Sequence, residues 1–268
     1  MEELVHSGSS GEERVTFPKL KFLSLCGLPK LLGLSCNVNI IELPQLVELQ
    51  LRDIPGFTSI YPSRNKIETS HLLKEEVLIP KLEELFIDHM ENLKEIWPNE
   101  FNRSERVRLR KITVRSCTNL VSMFPCNPMS QLHHLEEIDL ANCGSIEVLF
   151  DIDLENIGEI GENSSRSSLR NIKVEGLRKL REVWKIKGAD DNSPLICGFQ
   201  DVERIQIKKC ERFRNLFTPT NTNFDLGALM KIWIENCGEN RGNNKSVQSS
   251  HKQEQTDILL KEETSRKH

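Results

Sequence analysis

The sequence predicts a β-rich α/β solenoid, with one short parallel strand per coil and an irregular or short-helical convex side. Three observations lead there. Apolar residues recur in blocks that open at a strand-like spacing and continue at intervals of three, which no single helix or strand produces. The blocks return along the chain at similar steps, the mark of a repeat architecture. No block can enclose its own apolar side, so neighbours must stack and share one core.

The clearest block is "LEELFIDHMENLKEI", beginning at Leu82. With its first residue as position 1, further copies begin at Leu20, Leu46, Leu109, Leu135, Leu169, Val202 and Leu229, at steps of 26 to 36 residues. Positions 1, 4, 6, 9, 12 and 15 are apolar or Cys in all seven complete copies. The chain as a whole is 37% hydrophobic, so chance does not give this. The eighth copy, "LMKIWIENC", dissolves into polar sequence. The pattern is that of a leucine-rich repeat, LxxLxLxx(N/C)xxL. Positions 4 and 6 alternate with polar residues and point inward from a strand. Strands are therefore expected at 22–26, 48–52, 84–88, 111–115, 137–141, 171–175, 204–208 and 231–235.

Position 9 is Cys117, Cys143, Cys210 and Cys237 in four copies and Leu28, Ile54, Met90 and Leu177 in the rest. A small side chain with a weak S–H donor suits a buried turn, so all four cysteines are expected inside, and Cys26 at position 7 outside. Position 16 is Tyr61, Trp97, Phe124, Phe150, Trp184 and Phe217, with Ser35 as the exception. A stacked aromatic ladder on the convex side is the simple reading of that column, and a ligand-binding row the alternative. Longer steps carry polar insertions within 62–81, 151–168 and 185–201, expected as surface loops. The organisation expected is a flexible segment at 1–14, the solenoid over 15–237 and a disordered polar tail at 238–268, in which "DILL" is the one apolar interruption and "TDILLKEE" is long enough for one or two undocked helical turns.

Composition excludes several classes of function. The net charge of -4 gives no reason to expect nucleic acid or an anionic membrane as partner. No apolar run approaches the roughly 20 residues of a spanning helix, and no secretory apolar region opens the chain, so a cytoplasmic location is expected. Eight cysteines without a CxxC pair argue against a disulfide or zinc framework. No phosphate-cradling loop, HExxH, GxSxG or kinase signature occurs. His133 and His134 read as turn or solvent residues rather than a metal site. The pairs Glu83–Glu84 and Glu136–Glu137 have no acid/base partner, and the sequons at Asn102, Asn163 and Asn244 mean little without secretion. No catalytic residue, metal or cofactor is expected, and the chain reads as a binding module rather than an enzyme.

The candidate site is the concave face, reached by positions 2, 3, 5, 7 and 8. Its charges fall in bands: Glu83, Glu84 and Asp88, then Arg110, Lys111 and Arg115, then Glu136, Glu137 and Asp139, then Arg170 and Lys173. Strands stack about 4.8 Å apart, so opposite signs become lateral neighbours. The bands either compensate one another or lend their charges to a partner. Position 5 holds two large aromatics without a core role, Phe86 and Trp233, and aromatics dominate interface energetics. The partner-binding residues expected are Phe86, Glu84, Asp88, Arg110, Lys111, Arg115, Arg170, Lys173 and Trp233.

"LEEIDLANCGSIEVLF" and "LRKITVRSCTNLVSMF" resemble the C-terminal repeats of plant disease-resistance receptors of the coiled-coil, nucleotide-binding, leucine-rich-repeat class. "LPQLVELQLRDIPGFTSIYP", "IPKLEELFIDHMENLKEIWP" and "FRNLFTPTNTNFDL" are similar to the resistance-gene-candidate receptors of lettuce. The resemblance covers about residues 15–237. It implies an immune receptor inside the cell, whose repeats recognise a pathogen effector or a guarded host protein and restrain a nucleotide-binding switch. The coiled coil and the P-loop domain are not in this sequence, so nucleotide binding does not carry over, and a receptor fragment or truncated relative is expected. A repeat adaptor or substrate receptor outside immunity is the alternative. Without a separate N-terminal cap, Leu20, Leu23 and Leu25 are expected to be exposed unless residues 1–19 cover them.

Overall fold

The computed structural model describes residues 3–5, 14–35, 40–61, 72–73, 77–97, 108–124, 133–154, 167–188, 199–217 and 225–238. The three sequons, the tail from 239 and most of the long insertions lie outside the described residues. Among the described residues there are strands and no helix. In chain order they are β1 (Glu3–Val5), β2 (Arg14–Thr16), β3 (Phe22–Cys26), β4 (Gly33–Ser35), β5 (Ile40–Glu42), β6 (Glu48–Arg52), β7 (Val77–Leu78), β8 (Glu84–Asp88), β9 (Lys111–Arg115), β10 (Glu137–Ala141), β11 (Val148–Asp153), β12 (Asn171–Glu175), β13 (Glu182–Lys187), β14 (Arg204–Lys208), β15 (Asn215–Phe217) and β16 (Lys231–Glu235).

The eight repeat strands fall on the expected residues and pair in parallel, in the order β16-β14-β12-β10-β9-β8-β6-β3. Their register is that of the repeat: Leu49, Leu85, Ile112, Ile138, Ile172, Ile205 and Ile232 lie abreast as position 4. The junctions are chemically alike. The position-2 carbonyl of one coil accepts the N–H groups of positions 2 and 3 of the next, as Lys21 does from Val47 and Glu48, and Glu203 from Met230 and Lys231.

The strand ends at the expected turn, but one residue earlier than position 9 the backbone is left-handed, which was not expected. Position 8 has positive φ in every copy: Gly27, Asp53, His89, Ser116, Asn142, Gly176, Lys209 and Asn236, between 51° and 68°. This left-handed residue reverses the chain and drops position 9 into the core. Position 8 was expected on the concave face, but its side chain leaves from this turn rather than from the strand.

Inward residues are sealed. Leu51, Ile87, Val114, Leu140, Val174 and Ile207, all at position 6, are 0% exposed. Each is worth on the order of 1.5–3 kcal/mol of transfer free energy. Cys117, Cys143 and Cys210 are buried, and their thiols donate to carbonyls at the strand ends, Cys117 to Arg115 at 3.2 Å and Cys210 to Lys208 at 3.3 Å. Cys237 departs from expectation: it is only half-buried, because no further coil stands over it among the described residues. Its thiol still reaches the carbonyls of Glu235 and Ile207.

The opposite side of each coil is also ordered by strands. β11, β13 and β15 form a second parallel sheet, continued by single bridges from Ser59 to Glu95 and Glu95 to Ser122. Here the position-16 rings stack into a ladder: Tyr61–Trp97 at 6.1 Å, Trp97–Phe124 at 5.2 Å, Phe124–Phe150 at 5.4 Å, Phe150–Trp184 at 5.8 Å and Trp184–Phe217 at 5.0 Å, with ring planes within 20° of parallel. From Tyr61 to Trp184 these rings are buried, so the column is core and not an open binding row. Phe199, from an inserted segment, packs at an angle on both Phe150 and Trp184.

Ahead of the first three repeat strands, β2, β5 and β7 form a third parallel sheet, and β1, within the segment expected to be flexible, pairs with β4. Val15 and Phe17 pack against the core, leaving Leu25 buried and Leu20 and Leu23 half-buried.

Candidate functional site

The outward face of the eight-stranded sheet presents positions 3, 5 and 7 as three rows. Alternation along each strand puts them there, opposite the sealed positions 4 and 6. Along these rows and the adjoining position-2 residues, charges pair across strand boundaries. Arg110 binds Glu136 through two hydrogen bonds, Nε to Oε1 at 3.1 Å and a terminal nitrogen to Oε2 at 3.0 Å, and lies 3.7 Å from Glu83. Lys111 reaches Glu137 at 3.4 Å, and Arg170 reaches Glu203 at 4.0 Å. Arg115 and Lys173 converge on Asp139, at 3.6 and 3.1 Å, from the strands either side of it. Asp139 is buried under them although it is an outward residue. The bands are thus laterally compensated, and exposed pairs of this kind are individually weak.

At two exposed pairs the titrations move. The Arg110 guanidinium holds the Glu136 carboxyl below its usual range, chiefly by the hydrogen bond, and Glu136 in turn raises Arg110. Lys209 does the same to Glu175. In the interior, the hydrogen bond with Cys143 and then burial push the Cys117 thiol up, and burial pushes Cys210 up to about 12.

Asp88 is not an available surface carboxylate. It is 4% exposed and accepts Arg52 Nε at 2.9 Å, an Arg52 terminal nitrogen at 2.7 Å and His89 Nδ1 at 2.7 Å. Sequence reasoning missed this because its partners come from the adjoining coil and from the left-handed turn. Glu84 is exposed and makes no ion pair among the described residues, although Lys111 and Glu48 flank it in register.

The two aromatics stand at separate places on the face. Phe86 is half-buried at the centre of β8, between Gln50 and Thr113, with the Arg115 guanidinium 5.9 Å from its ring centre. Trp233 lies on the last strand and is 46% exposed. Lys231 and Lys208 approach its ring at 4.8 and 5.1 Å, and its indole N–H donates to Glu235 at 3.2 Å. A cation over an aromatic face is an arrangement suited to presenting both to a partner. Around both the charges are mixed: Glu48, Glu84 and Arg115 lie beside Phe86, and Arg204, Lys208, Lys231 and Glu235 lie near Trp233. The nine expected residues therefore do not form one cluster. They make a compensated central band with an aromatic at either side.

No group of His, Cys, Asp and Glu among the described residues is placed to hold a metal, and His133 and His134 lie with ring centres 6.5 Å apart. No helix among the described residues is long and apolar enough to cross a membrane. Residues 81–238 match the sequence profile of a family described as plant disease resistance protein RPS2-like, leucine-rich repeats. Comparison with curated proteins and with solved structures gave no match.

Proposed function

The chain belongs to the RPS2-like leucine-rich repeats of plant disease resistance proteins, and from that premise we propose that its outward sheet face is the recognition surface of a cytoplasmic immune receptor. The family makes it a recognition module in plant immunity. The finer reading is that the face binds a pathogen effector or a guarded host protein. In a full receptor the same repeats also lie against the nucleotide-binding domain and hold its switch off. The phrases similar to lettuce resistance-gene-candidate receptors support reading the chain as a relative of that branch.

The observation that carries this reading is the pair Phe86 and Trp233, large aromatics at outward positions that the core does not use. Interface truncation losses concentrate on aromatics and Arg, often about 2 kcal/mol each, or roughly 30-fold in affinity. The compensated charges between them contribute orientation more than affinity, because a partner must offer complementary signs at Glu84 and at Lys231.

The test places these repeats in an RPS2-like receptor, expressed in leaf tissue with a panel of pathogen effectors. Phe86→Ala and Trp233→Ala should abolish the effector-dependent response at normal protein level and normal melting temperature. Leu85→Ala, inward and 2% exposed, should instead cost about 3 kcal/mol of stability and lower the protein level. Spontaneous cell death from a surface variant of normal stability would locate the restraining contact on this face. Wild-type responses from both aromatic variants would refute the proposal.

A further inference from the structure

Past the left-handed turn each coil crosses a flank before it reaches the opposite side, and there the sixth and seventh coils differ from those before them. In the third, fourth and fifth coils the position-11 side chain donates to the position-10 carbonyl of the preceding coil: Asn92 to Pro55 at 2.8 Å, Asn119 to Glu91 at 2.8 Å and Ser145 to Thr118 at 2.9 Å. In the sixth and seventh coils position 11 is Lys179 and Arg212, which make no such bond among the described residues, and position 13 is Arg181 and Arg214. All four side chains are exposed. The Arg214 N–H donates to the Arg181 carbonyl at 2.9 Å, and Asn215 lies abreast of Glu182, so equivalent positions of the two coils stand one strand spacing apart, about 4.8 Å. None of the four pairs with a carboxylate among the described residues, whereas at position 10 of the same turn Arg178 lies 3.8 Å from Glu211. Like charges set directly opposite one another are destabilising. This part of the flank thus omits a bond that the other coils make and stacks cation beside cation, and neither choice serves the fold.

We propose that Lys179, Arg181, Arg212 and Arg214 form a second interaction surface, which takes an acidic segment of a protein partner. Positions 11 and 13 straddle the buried Leu180 and Phe213, so their side chains leave on one side, as alternate residues of an extended segment do. A segment with a carboxylate at every second residue can therefore face both cations of a coil at once. Guanidinium forks take carboxylates through paired hydrogen bonds, and three of the four cations are Arg. The patch is two coils wide. Exposed Glu147 holds position 13 of the coil before it, and exposed Glu91 holds position 10 of the third coil, so a flat anionic bilayer or a long polyanion laid along the flank would meet acid. The chain's net charge of -4 likewise gives polyanions no general attraction. The patch lies beyond the turn from the row that holds Phe86 and Trp233, which stay open when it is occupied. The inference does not depend on what the outward face recognises.

The experiment is fluorescence anisotropy of a labelled peptide of alternating Glu and Ser, titrated with the full chain. Arg181→Glu with Arg214→Glu should weaken binding about tenfold or more, since two exposed pairs are lost and replaced by repulsion. Binding to the unaltered chain should fall as salt is raised. Glu147→Lys, which lengthens the patch by one coil, should strengthen it. Phe86→Ala and Trp233→Ala should leave it unchanged, which separates this surface from the outward face. In a melt without peptide, Lys179→Asn with Arg212→Asn should raise the midpoint, because one stacked pair is removed and the position-11 amide returns. A lowered midpoint would show that the cations serve the fold and would overturn the proposal. So would absence of peptide binding, binding indifferent to the charge reversal, or capture by phosphatidylserine vesicles through the same cations more tightly than by the peptide, which would assign the patch to a membrane.

Discussion

Replacing Phe124 with Ala removes a ring midway along the buried ladder. The ring is 4% exposed and stacks on Trp97 at 5.2 Å and on Phe150 at 5.4 Å. Truncating a buried Phe to Ala costs about 3–5 kcal/mol. Stacking with two neighbours accounts for about 0.5–1.5 kcal/mol per pair within that total. Phe124→Leu keeps most of the apolar volume and loses only the stacking, so it should cost about 1–3 kcal/mol. The assay is urea denaturation of both variants, with hydrogen exchange to locate the damage. Each coil touches only its neighbours, so protection should fall in β9, β10 and β11 and persist in β3 and β14. Equal costs for the Leu and Ala variants would refute the stacking argument. Uniform loss of protection along the chain would refute the nearest-neighbour argument.

Other outcomes follow from particular residues. Gly176 has φ of 68°, and an added Cβ would come 2.5 Å from Asn142 Oδ1, whereas Gly27 at 64° has nothing within 4 Å. Gly27→Ala should therefore cost only the left-handed strain, about 1–2 kcal/mol, and Gly176→Ala measurably more in a thermal melt. With a maleimide at pH 8 and peptide-resolved mass spectrometry, among the five described cysteines Cys26 should label first, Cys237 next, and Cys117, Cys143 and Cys210 last. Labelling of Cys210 at the rate of Cys26 would contradict its burial and its raised thiol. The lowered folded-state value of Glu136 stabilises the fold above the unfolded carboxylate value, about 4.3, and that contribution is lost as pH falls through the folded value. The small stability difference between wild type and Glu136→Gln should thus be present at pH 7 and vanish in acid; a difference that grows in acid would reverse the sign.

The strands were legible to the residue because alternation and a fixed offset act together: slipping any of the eight by one would bury Lys111 or Arg204 and expose Ile112 or Ile205. The ladder was legible for the same reason, one residue type at one offset. The left-handed turn carried a weaker signal. Gly27, Asp53, His89, Asn142, Gly176 and Asn236 share position 8, and these types favour positive φ, but Ser116 and Lys209 obscure the column. Burial of Asp88 and the half-exposure of Cys237 could not be read from either repeat alone, since each depends on what the neighbouring coil supplies or fails to supply. The pairing of the opposite side into β11, β13 and β15 was also hidden, because Val148, Glu182 and Asn215, which sit abreast there, share no chemical type.

The unbroken register turns the long sheet into a ruler. Five strand spacings separate Phe86 on β8 from Trp233 on β16, about 24 Å along the sheet at roughly 4.8 Å per strand. The insertions leave this pitch alone: the 36-residue step into β8 gives the same in-line register as the 26-residue step into β10. Contact points on the face are therefore set at multiples of one strand width, whatever the loops beyond it do in length. A molecule that grips both aromatics at once must itself be some 24 Å across, which is the size of a folded domain and several times that of a metabolite.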